Sequence, residues 1–330
     1  LLHFINQIFT TSIQTKVLID EYISIRVFSA PAELIAYVLV GFYLGIQKTF
    51  ISSLLIITSS ILNIILSIYF VRELNLNVTG VAFGTLVAFY ITIIIFSIYT
   101  YFFILKRFKV IPRFNSKVIF NYKKIFKLLN INFNIFIRTL LLTFSFLFFT
   151  FQSSKLGEDY VAINTILLQF LTLSAFILDA YAFSTEGVVG YSLGRKVKKS
   201  FLLAVSNSIK LSIFTAAVIS IIYLLFFKNF INILTDLEYL RYLAYSYAFW
   251  IVIIPMFASF CYQYDGIFIG TSHTVEMRNS MIISVSIFLI ISSALTSQYG
   301  NHGLWFSMLL LMILRTLTLK IFFRNILNKF

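Results

Sequence analysis

The feature that most constrains this chain is a series of apolar runs, each long enough to cross a bilayer as an α-helix. Of its 330 residues 60% are hydrophobic and 12% are charged, and the mean hydropathy is +0.94. The runs are continuous, unlike the alternating pattern of a membrane β-barrel. We therefore predict an all-α polytopic membrane protein. Its nine full spans are expected at roughly residues 22–45, 50–71, 78–105, 131–151, 161–190, 205–227, 244–270, 281–295 and 303–323.

A basic stretch from Lys106 to Lys127 separates the third apolar run from the fourth. It contains eight Lys and Arg residues and no acid. Such loops stay in the cytoplasm, because basic residues near helix ends resist translocation. Alternating the spans from this loop places the basic turn at Arg195 and the C-terminus on the cytoplasmic side as well. The same pattern accounts for the net charge of +14 without a nucleic-acid partner.

The residue types needed for several other functions are scarce. Cys261 is the only cysteine, the three histidines lie far apart in sequence, and no glycine-rich nucleotide loop occurs. We therefore expect no disulfide, no metal site, no organic cofactor and no ATP-driven step. No nucleophile–base pair indicates an enzyme, and nothing indicates an obligatory protein partner.

Two parts of the chain resemble each other at a constant offset. Gly41 and Gly45 recur as Gly266 and Gly270, 225 residues later, and a proline precedes each pair at nearly the same offset. This likeness predicts parallel six-helix repeats, the first of them incomplete. We expect about three further helices before the first residue. The predicted organisation is an incomplete first lobe, a basic cytoplasmic linker and a second lobe, at residues 1–105, 106–128 and 129–330.

Several motifs resemble those of a known transporter family. The most specific are Ile137-Arg138-Thr139, Leu178-Asp179, Glu186, and Asp265-Gly266 followed by Arg278-Asn279. They look like the second half of multidrug and toxic compound extrusion (MATE) transporters, and of the DinF-like branch in particular. The resemblance implies a MATE-like two-lobe helical bundle in the bacterial inner (cytoplasmic) membrane. It further implies antiport, in which small organic cations leave the cell in exchange for H⁺ or Na⁺.

The first half of the chain departs from the family pattern at two places. The family's first helix carries an acid assigned to cation coupling in this branch, and that helix has no counterpart in the sequence. Ser67 stands where the fifth helix commonly has an Asp, four residues after Asn63. Either the chain is partial, or coupling relies on the second lobe, or the product does not transport.

Ionisable side chains at membrane depth are costly and are therefore default candidates for function. Asp179, Glu186 and Asp265 are the candidates for proton or cation coupling, and Arg138 is their predicted charge partner. We expect the three acids to face the interior of the second lobe and at least one to titrate near neutral pH. The alternative is a buried charge pair that only fixes helix packing. Candidate cavity-lining residues are Glu33, Asn63, Asn164 and Gln169.

Two further features concern helix packing. Arg26 and Arg315 lie near helix ends and are expected to snorkel to the membrane surface. A stripe at steps of four residues predicts close approach of a neighbouring helix. The stripe consists of Ala182, Glu186, Gly190 and Gly194.

The leading functional hypothesis is a cation-coupled antiporter for organic cations or drugs. One alternative is a flippase for lipid-linked saccharides of the same superfamily, which would line its cavity with more basic residues. The other is a non-transporting, truncated remnant, which the missing helices and Ser67 favour.

Overall fold

The computed structural model describes residues 13–109 and 120–330, and these form two compact units, one on each side of the gap. The first twelve residues and most of the predicted basic linker lie outside the described part. The predicted repeat and the three-segment organisation stay predictions.

The first unit consists of helices joined by short turns, because a backbone in lipid must satisfy its hydrogen bonds within each segment. Its core is small and includes Ala32, Leu55 and Phe96. One span is interrupted by a short 3-10 turn just before Pro31. The elements are α1 (Ile13–Arg26), the 3-10 turn (Val27–Ser29), α2 (Ala30–Gly45), α3 (Thr49–Arg72) and α4 (Asn77–Phe108).

The second unit has the larger core, in which Phe149, Phe288 and Trp305 are fully buried. Its central element is α9, which packs against α6, α7 and α10 and is the most buried of the membrane spans described. The elements are α5 (Tyr122–Ser154), α6 (Glu158–Gly194), α7 (Lys198–Leu234), α8 (Glu238–Tyr245), α9 (Ala248–Gly270) and α10 (Thr274–Leu327).

The last helix is in fact a hairpin of two helices. Gly300 has non-helical backbone angles (φ 57°, ψ −139°), and a Cβ on Gly303 would collide with the backbone of Leu295. Ser280 and Thr318 meet across the hairpin at 2.5 Å between their hydroxyl oxygens. At about 1.5 Å per residue, 54 residues are far longer than one crossing of a bilayer.

The predicted fold class is confirmed. Within residues 13–109 and 120–330, eight helices are long and apolar enough to cross a membrane. The break at Gly300 divides the last of them, which gives the nine spans predicted from the sequence.

Candidate functional site

The centre of the candidate site is Asp265, in the last two turns of α9. Its Oδ2 atom accepts a hydrogen bond from Arg315 Nη2 at 2.7 Å and a second from Arg138 Nη2. The side chain of Arg315 is only 2% exposed and that of Asp265 10% exposed. A buried charge is tolerated only when it is paired and hydrogen-bonded. The pairing therefore ties α9 to both α5 and α10.

Two glycines explain how α9 reaches this position. A Cβ on Gly266 would lie 2.5 Å from the carbonyl oxygen of Ala182, and one on Gly270 would lie 2.8 Å from Cα of Glu186. The backbones of α6 and α9 are therefore in direct contact, as the small-residue stripe on α6 predicts. Because successive residues of a helix point about 100° apart, Gly266 can face α6 while Asp265 turns towards the arginines.

A cavity of about 240 Å³ adjoins this ion pair, and we call it the polar cavity because three charged side chains, Arg138, Asp179 and Arg315, line it. Asp179 lies on its wall, within electrostatic range of Asp265 and of both arginines. Among the described residues, Asp179 forms no ion pair and no hydrogen bond. The remaining lining is mainly apolar. The lining residues are Arg138, Leu142, Phe146, Leu171, Thr172, Ala175, Phe176, Asp179, Tyr262, Met312 and Arg315.

The two aspartates differ in what protonation would cost. A proton on Asp265 would leave two buried guanidinium groups without their counter-charge, which is strongly unfavourable. A proton on Asp179 would break no ion pair among the described residues and would leave the Asp265 centre intact. The geometry therefore suits Asp179 to gain and lose a cation and suits Asp265 to hold the arginines.

Glu186 lies apart from this cluster. It is seven residues beyond Asp179 on α6, about 10 Å along the helix, and is half-buried. Its carboxylate makes no hydrogen bond or ion pair in the part of the chain that the structure describes. Next to it, Thr185 and Ser208 both donate hydrogen bonds to Gln263 Oε1, at 3.1 and 2.5 Å. This neutral cluster joins α6, α7 and α9.

The two polar candidates nearer the start of α6 have different surroundings. Asn164 is buried and exchanges two side-chain hydrogen bonds with Asn301, at 2.6 and 3.1 Å. It also accepts one from Trp305 Nε1 at 2.8 Å, so it fixes the hairpin beside Gly300. Gln169 lines a second cavity, of about 320 Å³, which is apolar and rich in aromatic side chains. Thr172 and Phe176 line both this cavity and the polar one.

The first unit contains the remaining candidates. Glu33 forms an ion pair with Arg26 across the 3-10 turn, and Ser29 Oγ donates to Glu33 Oε1 at 2.8 Å. Asn63 donates to Thr85 Oγ1 at 2.9 Å and accepts from Ser67 at 3.3 Å. The side chains of Glu33 and Asn63 are thus both bonded to other side chains of the first unit.

The prediction that Arg315 snorkels is wrong, because Arg315 is 1% exposed and bound to Asp265. Arg26 pairs with Glu33 while its side chain stays 30% exposed, so its snorkelling stays a prediction. The available signal for Arg315 was its position inside the last predicted span, at a depth similar to that of Asp265. Its distance from the helix end is compatible with snorkelling, whereas a buried guanidinium at that depth needs a carboxylate partner.

The fold defines a polytopic membrane protein, and this centre places one ion-paired acid, Asp265, inside its helical bundle. The MatE family model matches residues 135–296. DNA damage-inducible protein F of Escherichia coli is 33% identical over 306 residues, which cover 92% of this chain and 66% of that protein. The chain is therefore similar to MATE proteins, and to a DinF-like member in particular, as its motifs suggested.

Solved structures agree with this assignment of the fold. A multidrug resistance MATE family transporter of the MOP superfamily, in an outward-facing conformation, superposes with a TM-score of 0.88 at 17% identity. The match covers 97% of this chain and 72% of that one. The Vibrio cholerae MATE transporter VcmN gives a TM-score of 0.85 at 17% identity and covers 96% and 72% of the two chains. MATE proteins are transporters, not enzymes. The chain spans about two thirds (66%) of the length of the E. coli relative.

Proposed function

We propose that this chain works as a secondary active transporter that exports small organic cations in exchange for H⁺ or Na⁺ across a bacterial inner membrane. Similarity to the MATE family supports the transporter class. The observation that carries the coupling proposal is Asp179, a carboxylate on a cavity wall that has no ion pair among the described residues.

Exchange follows if two cations compete for one site. When Asp179 is ionised, it attracts a cationic substrate into the polar cavity. When a proton or Na⁺ neutralises it, that attraction is lost and the substrate leaves. Arg138 and Arg315 keep Asp265 in place and hold the cavity wall in one geometry. The aromatic cavity beside Gln169 would accept the apolar part of an organic cation.

The other two acids have separate proposed roles. Asp265 orders the centre through its two arginines, so Asp265→Asn is expected to uncouple transport by disturbing the site. Glu186 is the second of these acids that has no ion pair among the described residues, and Glu186→Gln tests whether coupling extends along α6. We expect Asp179→Asn to have the largest effect on coupling with the smallest effect on folding.

The test is transport by the purified chain in proteoliposomes. Uptake of a fluorescent organic cation is measured after imposing an H⁺ gradient alone or a Na⁺ gradient alone. Asp179→Asn should abolish gradient-driven uptake, whereas Asp236→Asn, an exposed acid in a loop, should leave it unchanged. Gradient-driven uptake that persists in Asp179→Asn would refute the coupling role, and no uptake by the parent chain under either gradient would refute the transporter proposal.

A further inference from the structure

The aromatic cavity, which residues of α6 and α7 line, contains one uncommitted polar side chain. The rest of its lining is nearly all apolar. Thr172 lines it but donates its hydroxyl hydrogen to the carbonyl oxygen of Leu168 at 2.9 Å. Tyr223 likewise donates to the carbonyl oxygen of Phe170 at 2.9 Å. Gln169 makes no side-chain hydrogen bond among the described residues, so its amide group is available to a molecule in the cavity.

Gln169 lies at membrane depth, where an amide without a partner is costly. It is 11 residues beyond Glu158, where α6 begins, which is about 16 Å along the helix. Lipid offers the amide no hydrogen bond, whereas water or a polar ligand does. A purely apolar molecule in the cavity would exclude water from the amide and leave it unpaired. The cavity therefore favours an occupant that carries a hydrogen-bonding group of its own.

The aromatic cavity and the polar cavity adjoin along one face of α6. Thr172 and Phe176 line both of them. Gln169 belongs to the lining of the aromatic cavity and Asp179 to that of the polar cavity. These four residues follow one another at steps of three or four and therefore share one broad face of the helix. Gln169 and Asp179 are ten residues apart, about 15 Å along the helix axis.

The wall of the aromatic cavity is held by packed rings. Phe170 and Tyr223 are 4% and 3% exposed and meet edge to face, with their ring centroids 5.2 Å apart. Phe230 packs against Phe170 at 6.0 Å between ring centroids. Such pairs prefer defined orientations. This wall therefore suits an apolar body made of rings, with polar groups only at its two ends.

We infer that Gln169 is a specificity-determining residue, which hydrogen-bonds a neutral polar group at the far end of an elongated organic cation. The positive charge of that cation lies at Asp179, and its apolar body passes Phe176 into the aromatic cavity. The inference rests on the proposed function for the position of the charge. It adds the length of the substrate and the chemistry of its second end. A hydroxyl or carbonyl group suits that end, because a glutamine amide both donates and accepts.

The experiment measures binding to the purified chain in detergent by isothermal titration calorimetry, without any ion gradient. The ligands are 2-(biphenyl-4-yl)ethyl-trimethylammonium and its 4′-hydroxy derivative, which differ only at the end remote from the charge. The parent chain should bind the hydroxylated cation about tenfold more tightly. Gln169→Leu removes the amide from a side chain of similar size and should bind the two cations equally. Gln298→Leu removes an exposed amide near Gly300 and should keep the preference.

Two further measurements test the proposed geometry. Phenyltrimethylammonium and its 4-hydroxy derivative span only one ring, too short to reach Gln169 from Asp179, so their affinities should be equal. Asp179→Asn should weaken the binding of both biphenyl cations and keep the preference for the hydroxyl group, since the two ends contact separate residues.

Each other outcome overturns the inference. Equal binding of the biphenyl cations by the parent chain, no binding of either, or a preference that survives in Gln169→Leu would exclude the role of Gln169. Unchanged binding in Asp179→Asn, or a hydroxyl preference with the single-ring pair, would exclude the two-ended arrangement. Loss of the preference in Gln298→Leu would assign the hydroxyl contact to another place. Failure of the proposed function shows separately, because a chain that transports without the hydroxyl preference refutes this inference alone.

Discussion

At the scale of single residues, sequence reasoning found the acids but not the full set of their partners. Asp265 and Arg138 could be named, because ionisable residues inside predicted spans are few and stand out. Arg315 was missed, since a span shows depth but does not show which helix faces which. The separate roles proposed for Asp179 and Asp265 rest on side-chain contacts, which no spacing along one helix reports.

The first prediction at this scale concerns stability. Asp265→Asn should destabilise the protein by about 3–5 kcal/mol, because it leaves Arg138 and Arg315 buried without a counter-charge. Asp179→Asn should cost much less, since it breaks no ion pair among the described residues. Thermal unfolding of the purified variants in detergent gives the comparison.

A double variant separates this account from a simple loss of packing. Adding Arg315→Met to Asp265→Asn removes one stranded cation and should recover part of the lost stability. If the double variant is no more stable than Asp265→Asn alone, the two arginines are not the source of the loss.

At the scale of helices, the stripe on α6 predicted a close neighbour but did not identify it. The partner is the glycine pair of α9, Gly266 and Gly270, which stood out in the sequence only as a sign of repetition. Helix existence and span number were predictable because long apolar runs leave a membrane segment few alternatives. The sequence predicted two separate spans at residues 281–295 and 303–323, whereas the break at Gly300 and the Asn164–Asn301 pairing beside it needed the structure.

The prediction at this scale tests the contact between α6 and α9. Gly270→Ala should destabilise the protein by about 1–3 kcal/mol, since its Cβ would meet the backbone of Glu186, which cannot move aside cheaply. Gly41→Ala is the matched control, because a Cβ at that helical position meets nothing within 4 Å. The Gly41→Ala variant should be as stable as the parent protein or slightly more stable. Equal destabilisation by both substitutions would contradict close packing of α6 on α9.

At the scale of the whole molecule, the charges of the loops follow the direction in which the spans cross the membrane. Neighbouring spans in the second unit are joined by short turns or by the short helix α8, so successive spans run in opposite directions across the membrane. The start of α5, the turn from α6 to α7 and the end of α10 then share one face. Their charges are mainly basic, whereas the turns at the other face contain Glu158, Asp159, Asp236 and Glu238. This asymmetry was readable from the sequence, because the positive-inside rule depends on loop composition alone.

The last prediction follows from that asymmetry. A reporter fused after Lys124 or Lys199 should behave as cytoplasmic, with fluorescent-protein fusions bright and alkaline-phosphatase fusions inactive. A reporter fused after Asp159 or Glu238 should show the reverse, because an odd number of spans separates each of these sites from the basic face. The pair Lys199 and Glu238 is the most informative, since only α7 and the start of α8 lie between them. A cytoplasmic signal from the Glu238 fusion would mean that α7 does not cross the membrane, and the nine-span arrangement would be wrong.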